Sequence, residues 1–473
     1  MPFQFSLPTT SSFAFSQYFS SDSHPSLPLA ASTYRGVLRD TLKKHKRLPP
    51  AEQSAHLSSV LTGLENYIPY LLAVDHGLSN GSVAGQPLDI VLKSTPCLEW
   101  RPTISNKPLS GREVARLNLK SLEYEIYFVL STLAYTHTLF SRAALYPLYS
   151  TSTSPLDHQQ RMLAITTATK HLLTAGSIHE YLSTRSEQLP MSAPCIDISQ
   201  ASFKALASLA LAEATLLAVF KDDPYPSVVS QDRNKSDKEW MIKATEIPKV
   251  RAHLFARLCL AAAEHAANGL SLLNSVSSNG QGKVNPELLN YMDKLIKSSR
   301  ARSCRFLGID AEISGQLGTA VAWLQAGLHQ LRHTPEDQLG KGIRRIKRDW
   351  DGKREDRRME KDTQWGADAG KIDERRILEM LEKKWTKTND TINVQKIPAI
   401  GTLISSMPSG REIHSIKLYS PPKIEYSALV ALKAVPSNDG LEEPGSPDEQ
   451  DRQTVDGAPL SIDAEYSGRG SYF

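Results

Sequence analysis

Residues Leu122 to Arg142 read Leu-Glu-Tyr-Glu-Ile-Tyr-Phe-Val-Leu-Ser-Thr-Leu-Ala-Tyr-Thr-His-Thr-Leu-Phe-Ser-Arg. Leu122, Ile126, Val129, Leu130, Leu133, His137 and Phe140 recur at steps of three and four, which sets them on one stripe of an α-helix. A stripe of this width must be buried against other helices. By itself the periodicity predicts a packed helix and says nothing of chemistry.

The same period extends outward from this stretch. A first helix is expected from about Tyr34 to Arg47, ending before Pro49-Pro50, and a second from about Ala51 that continues across Pro69 with a kink. Residues 79 to 111 lose periodicity and gather Gly, Pro, Ser and Asn, which predicts a loop with a short strand near Leu88 to Leu92. Further helical segments are expected at about 118–148, 158–184, 200–221, 247–274 and 286–333, and again from Ile372 to Trp385. Their apolar stripes and small Ala and Gly residues suit helix–turn–helix stacking, although no strict 34-residue repeat can be read.

Four segments carry more than periodicity. Leu122-x-Tyr124-Glu125 is followed by Val129-Leu130-x-x-Leu133-Ala134, and Ile196-Asp197-Ile198-Ser199 leads into Leu206-Ala207-Ser208-Leu209-Ala210-Leu211-Ala212-Glu213-Ala214. Ala175-Gly176-Ser177-Ile178 lies between them, and Gln316 to Leu331 follows later. This order resembles the helices of the Bro-one domain family, ESCRT-associated adaptors that include fungal pH-signalling proteins. The resemblance spans roughly residues 1 to 430. The absence of a long coiled coil or Pro-rich region after it makes the chain most similar to the family's fungal pH-response branch. Departures are Thr132 where the family usually has Asn, and Glu213 and Thr215 where it has two Gln.

The resemblance implies an all-α, banana-shaped domain over residues 1–434 with a tetratricopeptide-like core. It would have an irregular N-terminal segment at 1–32, a charged helical segment at 341–376 and an irregular stretch from Pro398 to Pro421 folding back along the body. Val435 to Phe473 is dominated by Pro, Gly, Ser, Asp and Glu and is expected to be a disordered acidic tail. That tail holds nine acidic and two basic residues, a net of −7, which leaves +11 on the rest of a chain whose total is +4. Seven Lys/Arg against two Asp fall between Lys341 and Arg354, so contact with anionic membrane is expected from a basic body. A dense mixed-charge run of this kind is ordinarily a solvated helix or loop.

Composition is ordinary for a globular protein, at 40% hydrophobic and 22% charged. Cys97, Cys195, Cys259 and Cys304 are far apart and form no metal or disulfide pattern, so buried free thiols in a reducing cytosol are expected. Met1 to Ser32 lacks a basic region followed by an apolar core, which argues against a secretory signal. No segment reaches about 18 uninterrupted apolar residues, so a protein touching membranes only peripherally, at the cortex or endosomes, is expected.

No phosphate loop, dinucleotide fingerprint, nucleophile elbow or His-Glu-x-x-His is present. Gly280-Gln281-Gly282-Lys283 reads as a flexible connector, and His137, His171 and His265 sit singly on helices. Asp222-Asp223 has the start of a diacidic metal motif, but position 226 is Pro; the pair is expected merely to end a helix before Pro224. An adaptor without catalytic activity, cofactor, metal or nucleic-acid partner is therefore expected. The rivals are an all-helical metal-dependent enzyme and a generic tetratricopeptide-like scaffold.

The resemblance also says where a partner would sit. In the family a hydrophobic patch on the concave side receives the amphipathic C-terminal helix of the ESCRT-III core subunit, read by anchors at i, i+3, i+4 and i+7. Carried over by motif, its first part falls at Ala218 and Val219 with Lys221 beside them, and its second at Leu254 and Leu258. The relatives' aromatic at the first position is Ala218 here, which implies a shallower groove or compensation by Phe220. The same resemblance implies an upstream link to the pH-sensing complex of receptor and arrestin.

Overall fold

A computed structural model describes residues 2–105, 114–149, 157–188, 193–225, 249–278, 282–331 and 365–433. Contacts divide the chain into Met1–Ala434 and Val435–Phe473. The acidic tail lies outside the described residues, as do Lys341–Arg354 with the charged run up to 364, and Gly280-Gln281.

Long helices dominate the described residues. They are α1 (Phe15–Tyr18), α2 (Leu27–Arg47), α3 (Pro50–Leu78), α4 (Leu122–Leu145), α5 (His158–Ser186), α6 (Gln200–Asp222), α7 (Lys249–Ser278), α8 (Pro286–Ile313), α9 (Leu317–Leu331), α10 (Lys371–Thr388), α11 (Ile400–Ser405) and α12 (Tyr426–Val430). From α2 to α10 each long helix packs on the next in sequence. Their starts follow local chemistry. Ser121 caps α4 by accepting from Glu123 N–H, Asp157 and Gln160 form a capping box on α5, and Ser199 accepts from Ser202 N–H at the start of α6.

Three differences from the sequence reading have local causes. The first long helix starts earlier than Tyr34, and the irregular segment before it, residues 2–26, is packed. β1 (Thr9–Thr10) and α1 pack there, Phe5, Phe15 and Phe19 are buried, and α2 begins at Leu27 with Pro28 in its first turn. The stretch expected as one helix over 286–333 breaks into α8 and α9 at Gly315, whose φ of +76° ends the helix and reverses the chain. Cys97 is exposed, while the other three thiols are buried and free.

Short strands lie against the first long helices, β1 on α2 and others near α3 and α4. β2 (Phe19–Ser20) pairs with β5 (Val91–Leu92), and β3 (Ser82–Val83) with β4 (Gln86–Pro87). β6 (Leu98–Arg101) lies between β1 and β7 (Leu117–Leu119), all antiparallel. α3 runs unbroken through Pro69. By length and composition α6 alone among the described helices is long and apolar enough to cross a membrane. Of its apolar window 72% is buried inside the protein, which marks it as a core helix.

The recognisable motifs turn out to be structural fasteners. Glu125 is fully buried and accepts from Arg35 Nε at 2.8 Å, Tyr67 OH at 3.0 Å and Trp100 Nε1, tying α4 to α2, α3 and β6. Asp197 accepts from the backbone N–H groups of Thr103, Ile104 and Ser105 and from the Ser105 hydroxyl, fastening the approach to α6 onto the loop after β6. Each satisfies an otherwise costly buried polar group.

From α9 the chain returns as a strap over 395–424. It starts against α9, where a Cβ on Gly318 would lie 2.5 Å from the Lys396 carbonyl oxygen, so only glycine admits it. Arg411 N–H then donates to the Arg257 carbonyl and Arg257 Nε to the Ser409 carbonyl on α7. The His414 ring lies beside the backbone of Ala214 on α6. Ile416 touches Gly176 and the Ser177 hydroxyl donates to the Lys417 carbonyl on α5. The fold-back expected for Pro398 to Pro421 is thus a crossing of three helices in reverse order.

Candidate functional site

The strap locates the candidate residues. α6 and α7 are antiparallel, since Asn268 donates to Ser208 and Gly269 lies against Ala205. The end of α6 is therefore level with the start of α7. At 100° per residue, Ala218 falls about 40° from Ala214, and Leu254 about 20° from Ala261, against which Gly410 of the strap is seated. Ala218 and Leu254 thus continue the strap-facing rows of α6 and α7, just past the edge of the strap.

Burial separates the five residues. Val219 is 0% and Leu258 2% exposed, so both are core members and unavailable to a partner in this conformation. Ala218 and Leu254 are half-buried and Lys221 is exposed. The accessible part of the expected patch is therefore Ala218, Lys221 and Leu254. Phe220 does not replace an aromatic at Ala218. It stacks on Tyr149, with their ring centroids 5.7 Å apart, and lies under the Arg161 guanidinium, toward α5.

Asp223 is held inside the protein by a cation. It is buried and ion-paired with Arg305 at 2.6 Å, while Arg305 Nε reaches Glu374 at 2.7 Å and Arg302 also pairs with Glu374. Among the described residues no group of three His, Cys, Asp or Glu is placed to hold a metal. The expectation that the acidic pair merely ends the helix therefore fails at Asp223, which joins α6 to α8 and α10.

Two further departures concern single residues. His137 and His171 are not isolated: their Nδ1 atoms are 3.0 Å apart, and burial, then His171, holds His137 at about 4. Glu213, at the family's Gln position, is buried and accepts from Tyr291 OH at 2.7 Å and from the Phe3 N–H at 2.8 Å. Burial pushes its carboxyl up to about 7, so the acceptor that stands at the family's amide position is far more readily protonated than an ordinary carboxylate.

His179, 2% exposed against Tyr135, gives a prediction on pH. Burial pushes its imidazole down to about 3, so the fold holds it neutral while the unfolded chain takes up the proton below about 6.5. Its contribution is complete above pH 6.5 and is lost as pH falls toward 3. Urea titrations at pH 7 and 5 are expected to differ by about 1–2 kcal/mol on this account, and His179→Gln should flatten that slope. An unchanged slope would show the ring to be hydrated.

No protein-family profile matches the chain. A curated protein of Emericella nidulans, the pH-response regulator protein palC, is 39% identical over 485 residues, which span 95% of this chain and 94% of the relative. The chain belongs to the palC family. A palC of Cryptococcus neoformans var. neoformans serotype D is 23% identical over 528 residues and covers all of both chains. Among solved structures, ALIX in complex with the SIVmac239 PYKEVTEDL late domain has a TM-score of 0.52 at 14% identity, covering 90% of this chain and 49% of that one. The palC family is thus one of pH-response regulators, and this member has the all-α Bro-one fold that its motifs predict.

Sequence reasoning missed the strap's route and the Arg305 cluster. Arg305 lies 82 residues from Asp223 and 69 from Glu374, and no spacing rule joins them. Glu125 could have been found: a carboxylate amid Tyr124, Ile126 and Tyr127 on a palC helix with an apolar stripe is a buried charge in search of a partner.

Proposed function

We propose that this chain is a non-catalytic adaptor of the ambient-pH response that docks the C-terminal amphipathic helix of an ESCRT-III core subunit where α6 ends and α7 begins. One observation supports the reading: Ala218 and Lys221 near the end of α6 and Leu254 near the start of α7 are not fully buried, and helix phase sets Ala218 and Leu254 on the rows that the strap faces. A small residue and a half-buried leucine offer an apolar seat, and the lysine beside it suits a helix with acidic flanks. The naming of the curated relatives as pH-response regulators supports the pathway; a receptor and arrestin complex upstream and recruitment to the cortex or endosomes belong to the proposal itself. The ion pairing of Asp223 with Arg305 tells against a metal-dependent enzyme.

Calorimetric titration with a synthetic ESCRT-III C-terminal helix tests the proposal. Burying the rest of Leu254 at about 25 cal/mol/Å² over roughly 60 Å² contributes about 1.5 kcal/mol, or about tenfold in affinity. Leu254→Asp is expected to lose at least that much while circular dichroism still shows the parent's helical content, with some lowering of the melting temperature because the side chain also packs on the core. Undiminished affinity in the folded variant would move the docking surface elsewhere. Leu258→Asp is unsuitable, because a charge at a core position unfolds the helix pair.

A further inference from the structure

After α10 the chain makes a π-helical turn, Asn389–Asn393, and at Val394 enters the left-handed region with φ +45° and ψ +40°. A β-branched residue there is strained, and such strain persists only where surrounding bonds over-determine it. They do so here. Val394 N–H donates to the Asn389 carbonyl at 2.7 Å, and the Asn389 side chain bonds both N–H and C=O of Gln395. The Gln395 amide in turn bridges the Gly315 carbonyl and the Gly318 N–H, locking the turn to the junction of α8 and α9.

What this rigid turn holds out is apolar. Ile392 is 74% and Val394 79% exposed, and Ile313 at the end of α8 is 40% exposed. Lys384 and Lys387 near the end of α10 and Lys396 just beyond the turn are exposed, and Asp390 is the carboxylate within it. Two protruding side chains offer far less than the roughly 800 Å² per partner of a stable protein interface. An apolar tip edged by lysines fits a different partner, the headgroup and acyl boundary of an anionic bilayer.

We propose that the turn at 389–396 is a membrane-contact tip, inserting Ile392 and Val394 among anionic lipids while Lys384, Lys387 and Lys396 meet the headgroups. The inference deepens the membrane side of the proposed function and rests on it, but its test needs no ESCRT-III helix. The full chain is floated with phosphatidylcholine vesicles, with or without phosphatidylserine. It is expected to float with the anionic vesicles and to lose at least fivefold in bound fraction on Ile392→Asp with Val394→Asp. Val394→Gly separates contact from folding. Glycine accepts φ +45°, so this variant should melt no lower than the parent yet bind anionic vesicles at least threefold more weakly. Lys387→Glu with Lys396→Glu should weaken binding and reduce its salt dependence. A parent protein that does not float, or an Ile392→Asp, Val394→Asp variant that floats undiminished, would overturn the proposal. Unaltered titration of the ESCRT-III helix by these variants would show that the two surfaces are separate.

Discussion

Arg305→Met is expected to destabilise this protein by about 3–5 kcal/mol, a large part of the roughly 5–15 kcal/mol that holds a folded domain. Arg305 is fully buried and is the cation shared by Asp223 at 2.6 Å and Glu374 at 2.7 Å, both themselves buried. Removing it leaves two carboxylates in a low-dielectric interior, with Arg302 pairing Glu374 at 3.2 Å and Arg161 reaching the Asp223 backbone carbonyl, but no cation shared between the two acids among the described residues. The loss should be specific. Asp223→Asn deletes one charge and keeps an acceptor, and is expected to cost less, about 1–3 kcal/mol. Urea denaturation of the three proteins is the measurement, and a midpoint for Arg305→Met equal to that of the parent would show that water reaches the cluster. Because Asp223 follows directly on the end of α6, docking at Ala218 and Lys221 should weaken in parallel with stability.

The second large effect concerns Glu125. Glu125→Ala removes the acceptor for Arg35, Tyr67 and Trp100 at once, leaving the Arg35 guanidinium buried with Thr10 Oγ1 and the Ser11 carbonyl as its remaining partners. The expected cost is again about 3–5 kcal/mol, against about 1–2 for Glu125→Gln, which keeps an acceptor but loses the charge. The damage should be local first. β1 is only two residues long, Thr9 facing Arg101 and Thr10 facing Trp100, so limited proteolysis of Glu125→Ala is expected to begin within residues 9–20. Cleavage spread evenly along the chain would show that this network does not fasten the N-terminal segment.

These two clusters also mark the boundary of what a one-dimensional reading reaches. The stripe from Leu122 to Phe140 is realised as α4, because a 3.6-residue period with Ser121 ahead of it leaves few alternatives. The Ile196-Asp197-Ile198-Ser199 motif was legible as a helix approach, and its roles follow from side-chain length: Ser199 caps its own helix, Asp197 reaches a distant loop. The break at Gly315 was missed, since the apolar pattern of α8 runs on into α9 with little change of phase.

The sequence by itself determined most of the long helices, the order of the motifs and hence the fold, because each depends on neighbours within one or two turns. It also determined that Ala218, Lys221 and Leu254 lie on helices. Only the tertiary structure decided which of the five patch residues meet solvent, that Asp223 belongs to Arg305, and that the strap crosses α7, α6 and α5. Burial and ion pairing are set by chain segments tens to hundreds of residues away, and no local period encodes them.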